Sequence, residues 1–314
     1  MKKKLVVLVG PTASGKTDTA EILAKKYPLD IISADSRQIY KFMDIGTGKP
    51  LNKKFHGLVD FLDPKEDFSA AEYKKKAEAL IKKSYKKLRI PFLVGGSGLY
   101  IKAVVDGLCN APSANYEIRQ KLESEATKSG TKVLYKKLEI VDSKAAKKIH
   151  PNDLRRIIRA LEVYYQTGKP FSSFQGSTEN PGYSVIIIGI RYSLEDLYGR
   201  IDKRIDAMIK QGFIEEVRAL LKKGFSQDLR SMQSLGYKEI IGYLADKYDL
   251  DTAISLMKKN TRHYARRQMI WFRKDERIEW IDAEKSDNKH IAAKIGKILD
   301  NFLKVKYNKK NVKI

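Results

Sequence analysis

The sequence predicts an α/β protein with a parallel sheet core, an inserted helical domain and a helical C-terminal part. Three observations carry that prediction. Short, evenly apolar runs at 5–9, 30–33, 90–94 and 185–190 alternate with longer stretches of helical period. Each run lacks the apolar/polar alternation of a half-exposed strand and is followed by small or polar residues where a loop leaves a sheet. Between the third and fourth runs, residues 112–182 are charged, helix-favouring and poor in strand signals until the loop at 172–182, the mark of an inserted lobe. The division that follows is 1–111 and 183–314 for the core and 112–182 for the insertion.

Taken in order, the first run follows Met1-Lys2-Lys3-Lys4 and resembles a signal peptide, but its apolar stretch is five residues long before Gly10. A signal h-region needs about 7–15, so the run is a buried strand. The longest apolar run, at 185–190, falls short of the roughly 20 residues of a membrane span, and a soluble protein without membrane partners is expected. Ile22, Leu23 and Tyr27 give the helix after the first strand its apolar side. From Ser193 onward the pattern is nearly all helical, with Leu197, Ile201, Ile205 and Met208 forming one apolar stripe. Asn152-Asp153 reads as a helix cap, and the Lys/Asn-rich tail 304–314 is expected to fray.

The chain has 314 residues, 62 Lys+Arg against 38 Asp+Glu, a net charge of +24 and a pI near 9.7. Its length allows about two domains, and 42% hydrophobic content with 17 Tyr and 11 Phe excludes a disordered chain. The positive surplus fits a polyanionic partner, or else lysines that merely solvate helix faces. The single cysteine, Cys109, excludes an intramolecular disulfide framework and points to a reducing compartment, the cytoplasm.

Gly10-Pro11-Thr12-Ala13-Ser14-Gly15-Lys16-Thr17 matches G-x-x-x-x-G-K-[ST] directly after a strand and before an amphipathic helix. This is a P-loop, and it makes the core P-loop NTPase-like. Its glycines let backbone N–H groups turn around a di- or triphosphate such as that of ATP, Lys16 adds a mobile charge, and the Thr17 hydroxyl is placed to ligate magnesium. Asp35 ends the second strand and faces the phosphate loop, where three roles stay open: a magnesium ligand through water, a helix cap, or a base. Gly95-Gly96-Ser97-Gly98 ends the third strand and lets something bulky approach the backbone. Neither strand ends in the acidic pair of a hydrolytic NTPase.

Two basic clusters remain. On a helix, Arg262, Arg266 and Arg273 fall within about 40° of one another, a stripe able to track phosphates, with Tyr264, Trp271 and Phe272 as base-stacking or core aromatics. Arg155, Arg156 and Arg159 form the second cluster, in the inserted lobe. His56, His150, His263 and His290 lack ligand spacing, so no protein-ligated metal is expected.

Seven motifs in order then resemble one family. They are GPTASGKT at 10–17, DSRQIY at 35–40, DIGTGKP at 44–50, GGSGLY at 95–100, HPNDLRRIIRALE at 150–162, SMQSLGYKE at 231–239 and RRQMIWFRK at 266–274. In these the chain resembles the tRNA dimethylallyltransferases. The resemblance implies transfer of a dimethylallyl group from dimethylallyl diphosphate to the exocyclic amine of adenine 37, beside the anticodon, in tRNAs reading codons that begin with U. It implies Asp35 as the acceptor that activates the amine, and Lys16, Thr17, the loop N–H groups and Arg200 or Arg204 as stabilisers of the leaving diphosphate, with magnesium. Arg200 and Arg204 have an alternative reading, snorkelling over the core edge with Asp202 and Asp206 as local partners.

The resemblance further implies a flipped base entering a channel between core and lobe. It carries tRNA contact over to Asp35, Ser36, Arg37, Gln38, Ser97, Arg119, Arg155, Arg156, Ile157, Ile158 and Arg159. It does the same for Gln233, Ser234, Leu235, Gly236, Tyr237, Lys238, Arg266, Arg267, Gln268 and Arg273. Ser97 and Ile270 stand where the family has threonine in many members, and the zinc finger of some eukaryotic members is absent. The expected protein is a cytoplasmic monomer whose partners are the tRNA anticodon stem-loop and dimethylallyl diphosphate. Its rivals are a P-loop small-molecule kinase and a nucleotide-switched RNA-binding protein.

Overall fold

The computed structural model describes residues 3–174, 182–284 and 286–303. The expected fraying of the tail at 304–314 and most of the 172–182 loop lie outside them. Six strands, β1 (Lys3–Val9), β2 (Leu29–Ser33), β3 (His56–Gly57), β4 (Ile90–Gly95), β5 (Tyr183–Arg191) and β6 (Ile278–Asp282), form one sheet in the order β3-β2-β4-β1-β5-β6. Every pairing is parallel. β1 lies centrally, with Val6 opposite Phe92 on one side and Ile186 on the other, and Leu5 to Val9 are fully buried. Burial on both faces is why these runs read as continuously apolar.

Helices cover both faces. α1 (Lys16–Lys26) and the last helix pack Leu23, Ile291, Ile295 and Leu299 against Leu8 and Ile188. On the other face α2 (Ala70–Lys86), started by a Ser69/Glu72 capping box, and α3 (Gly98–Val105) cover Val7, Val9 and Leu93. The second compact unit, Asp106–Pro181, holds α4 (Tyr116–Ser129), α5 (Thr131–Val141), α6 (Ser143–Ala146) and α7 (Leu154–Thr167) around Leu122, Leu134, Leu138, Ile157 and Leu161. It begins at Asp106 rather than at residue 112. Within it, Arg159 holds the Pro112 carbonyl and Glu162 holds the Asn115 N–H, which ties the segment before α4 to α7. The Asp153 carboxylate caps α7 through the Arg156 N–H.

The remaining helices are α8 (Leu194–Lys210), α9 (Phe213–Lys222), α10 (Tyr237–Leu244), α11 (Leu250–Phe272) and α12 (Asn288–Leu303). The α8 stripe of Leu197, Ile201, Ile205 and Met208 is buried against α9, α10 and α11, in the same cluster as Ile39 and Met43. Two strands depart from the sequence expectation. β3 is a two-residue bridge, too short for any periodicity, and β6 (IEWID) interrupts the expected helical C-terminal part. Glu279 and Asp282 of β6 are exposed, and charges along an edge strand hide its strand character.

Candidate active site

The P-loop leaves β1 at Gly10 and ends at Gly15, whose φ of 78° is the left-handed conformation that lets the backbone turn into α1. Ala13 adopts φ 63° in the same loop, a conformation that costs a residue with a Cβ. Lys16 folds its ammonium back over the loop, donating to the Pro11 carbonyl at 2.5 Å and to Ser14 Oγ at 3.3 Å. Burial pushes Lys16 down to about 7, with Asp35 pulling the other way and Arg204 adding to the depression. Thr17 is half-buried in the first turn of α1.

Two cations approach this loop from α8. Arg200 Nε donates to the Ala13 carbonyl at 2.9 Å, and its guanidinium lies 4.6 Å from the Tyr192 ring centroid. Arg204 reaches the Thr47 carbonyl at 3.5 Å, and Gly48 has no Cβ to obstruct its guanidinium. Burial lowers Arg204 from its ordinary value while Asp35 raises it. The local alternative for these arginines does not hold: Asp202 pairs with Arg262 and Asp206 with Lys258, both on α11.

Asp35 sits just past β2, half-buried, with Oδ1 accepting from the Arg37 N–H at 2.8 Å and the Gln38 N–H at 3.4 Å. Ser97 Oγ accepts from the Ser36 N–H at 3.0 Å, which ties the glycine-rich loop after β4 to the Asp35 turn. Tyr264 of α11 faces the same place: burial first, then the Asp35 carboxylate, pushes its hydroxyl up to about 12. Lys16, Arg200, Arg204, Asp35 and Ser97 therefore belong to one cluster in the core unit.

Several candidates for RNA contact are committed elsewhere. Ile157 and Ile158 are buried in the helical unit, because α7 turns that face inward. Arg119 and Arg159 both hold the buried Glu162, at 2.9 and 2.7 Å; burial alone would raise that carboxyl, but the two guanidiniums hold it below the ordinary range. Gln38 is buried, accepting from Ser33 Oγ and donating to the Gly48 carbonyl. Ser234, Gly236 and Tyr237 are buried, and the Tyr237 hydroxyl donates to Glu216. Arg262, expected in the phosphate-tracking stripe, pairs with Asp202, and Phe272 is core. Gln268, also buried, accepts from the Thr12 N–H at 2.8 Å and donates to the Gly96 carbonyl at 3.0 Å.

Arg155, Arg156, Gln233, Lys238, Arg266, Arg267 and Arg273 are exposed; Ser36, Arg37 and Leu235 are half-buried. Arg156 pairs loosely with Asp153, at 3.4 Å. Among the described residues no group of three or more His, Cys, Asp or Glu is arranged to hold a metal ion, and no helix is long and apolar enough to cross a membrane.

Sequence reasoning assigned no role to the framework of the 44–50 loop. Glu216 of α9 accepts from the N–H groups of Asp44, Ile45 and Gly46 as well as from Tyr237. The buried Lys49 ammonium bridges Asp44 and Asp60. Together they fix the loop whose Thr47 carbonyl receives Arg204. No signal local to Glu216 announces this, since its partners lie far away in the chain.

A family model described as IPP transferase matches residues 38–275. The chain is 47% identical over 306 residues to a tRNA dimethylallyltransferase of Halothermothrix orenii, covering 95% of this chain and 93% of that one. It is 47% identical over 309 residues to one of Natranaerobius thermophilus, covering 96% and 92%. Among solved structures, the full-length tRNA isopentenylpyrophosphate transferase of Bacillus halodurans shares 39% identity at a TM-score of 0.72, over 96% of this chain and 97% of that one. A eukaryotic dimethylallyltransferase acting on tRNA shares 26% identity at a TM-score of 0.80, over 98% and 81%.

Proposed function

The chain belongs to the IPP transferase family, and from that premise we propose that it is a tRNA dimethylallyltransferase working through the cluster around its P-loop. One observation carries the assignment of chemistry to residues: Lys16, Arg200 and Arg204 meet at the P-loop beside the Asp35 carboxylate. Cations gathered at the phosphate loop with the Asp35 carboxylate within electrostatic reach suit a reaction in which a polyanion departs as a proton is removed.

The diphosphate of dimethylallyl diphosphate occupies the P-loop, contacted by the N–H groups of the loop, by Lys16 and by the α8 arginines. The N6 amine of adenine 37 attacks the allylic carbon, the carbon–oxygen bond to diphosphate breaks with its electron pair, and Asp35 takes the amine proton. That amine is a weak nucleophile because its lone pair is shared with the ring, so a positioned acceptor contributes most as the new bond forms. The cations act on charge developing at the leaving oxygen.

Magnesium fits this donor set. Thr17 offers a hard hydroxyl oxygen that would hold the ion, with diphosphate and water as the remaining oxygen donors magnesium prefers. When bound, it supplies further neutralisation of the diphosphate charge.

The RNA partner is the anticodon stem-loop. In the core unit exposed Arg266, Arg267 and Arg273 supply phosphate contacts, and the enzyme works as a cytoplasmic monomer. The test is incubation with unmodified tRNA, magnesium and either labelled dimethylallyl diphosphate or ATP, followed by nucleoside analysis. Label on adenosine from the allylic donor is the expected result. Absence of label with turnover of ATP replaces this reading with a kinase.

A further inference from the structure

We propose that Gln268 is a positioning residue that holds the diphosphate-binding half of the site in register with the amine-activating half, an inference that rests on the prenyl-transfer reading. The side chain lies in α11, buried, and offers no face to RNA. Its amide spans two loops. Oε1 accepts from the Thr12 N–H of the P-loop at 2.8 Å, and Nε2 donates to the Gly96 carbonyl at 3.0 Å. The partners leave the amide a single orientation, because one is a donor and the other an acceptor.

The connection continues to Asp35. From Gly96 the chain passes to Ser97, whose N–H donates to the Ala34 carbonyl at 3.0 Å and whose hydroxyl accepts from the Ser36 N–H at 3.0 Å. Asp35 lies between those two anchored residues. Thus one side chain links the P-loop, α11 and the Asp35 turn. The contact at Gly96 is built for it: a Cβ there would lie 2.2 Å from Gln268 Nε2. Thr12 also spends its N–H on Gln268, so that amide braces the loop rather than facing the anion.

Each half site is assembled by its own contacts and binds its own substrate. Transfer is different, because it requires the allylic carbon and the adenine amine at reacting distance, where a misplacement of about 1 Å costs about 10²-fold. A registering residue therefore acts on kcat more than on either binding constant.

The experiment compares Gln268→Met, which keeps volume and removes both bonds, with Gln268→Glu, which keeps the acceptor for Thr12 but sets a carboxylate oxygen against the Gly96 carbonyl. For Gln268→Met the expected result is a kcat about 10–100-fold below wild type, with the KM for dimethylallyl diphosphate and the tRNA Kd within about threefold. Gln268→Glu shows a similar deficit at about pH 8 that shrinks toward about pH 5.5, as the introduced carboxyl takes a proton and donates again. Thermal melting and pyrophosphate binding report whether each variant is folded, and if Gln268→Met does not fold, the pH profile of Gln268→Glu decides. A folded Gln268→Met with kcat within about threefold of wild type overturns the inference, as does a pH-independent deficit in Gln268→Glu. Wild-type protein that binds pyrophosphate but transfers nothing overturns the prenyl-transfer reading, and this inference with it.

Discussion

Arg200 donates to the Ala13 carbonyl at 2.9 Å across 187 residues of chain, with its guanidinium stacked on Tyr192. The bond places a cation from α8 against the P-loop backbone, close to the loop's own lysine and to Arg204. Arg200→Gln is expected to lower kcat/KM for dimethylallyl diphosphate by about 10²–10³-fold, the usual cost of removing one preorganised charge contact. Tyr192→Leu removes the stacking while keeping an apolar side chain against the core, and should cost about 2–5-fold. Steady-state kinetics on both variants measure the difference, and equal losses would show that the ring rather than the charge matters.

Asp35 lies on a turn held by Ser97 through the Ser36 N–H. Asp35→Ala should retain tRNA binding and lose transfer by about 10²–10⁴-fold, the contribution of a positioned proton acceptor. Gel-shift binding alongside single-turnover transfer separates the two effects.

Two of the three arginines of the predicted stripe, Arg262 and Arg266, diverge in their environment. Arg266 is exposed, whereas Arg262 is paired with Asp202. Arg266→Ala is expected to reduce the slope of log K for tRNA against log[salt] by about one phosphate contact. Arg262→Ala leaves that slope unchanged and lowers stability by about 0.5–1 kcal/mol, because the pair is half open to solvent. Binding titrations at several salt concentrations, with melts for each variant, test both.

Lys16 carries a penalty in the fold. Burial depresses its folded value to about 7 from 10.5, so the unfolded chain holds the proton more tightly. The cost is therefore complete below pH 7 and fades as pH rises toward 10.5. Lys16→Met should raise Tm at about pH 6.5, with a smaller gain at about pH 9.5, while abolishing transfer. Scanning calorimetry across that range measures the trend, and a gain that grows with pH would contradict it.

Four of the six strands, the P-loop, the Asp153 cap and the α8 stripe were all legible in the chain. Each is written in a few consecutive residues: an apolar run buried on both faces, glycines where the backbone must turn, a carboxylate before a helix. The motif order likewise brought Lys16, Asp35 and the α8 arginines forward as candidates. What a linear pattern could not carry was which polar groups are already spent. Nothing in the linear pattern shows that Arg119 and Arg159 share the buried Glu162, or that Arg262, unlike its neighbour Arg266, has Asp202 as a partner. Gln268 and Glu216 show the same thing from the other direction, since their partners are the backbones of loops far away in sequence. Short-range order follows from local sterics and burial pattern. The pairing of charges and amides depends on how helices stack on the sheet, and only the packed chain decides it.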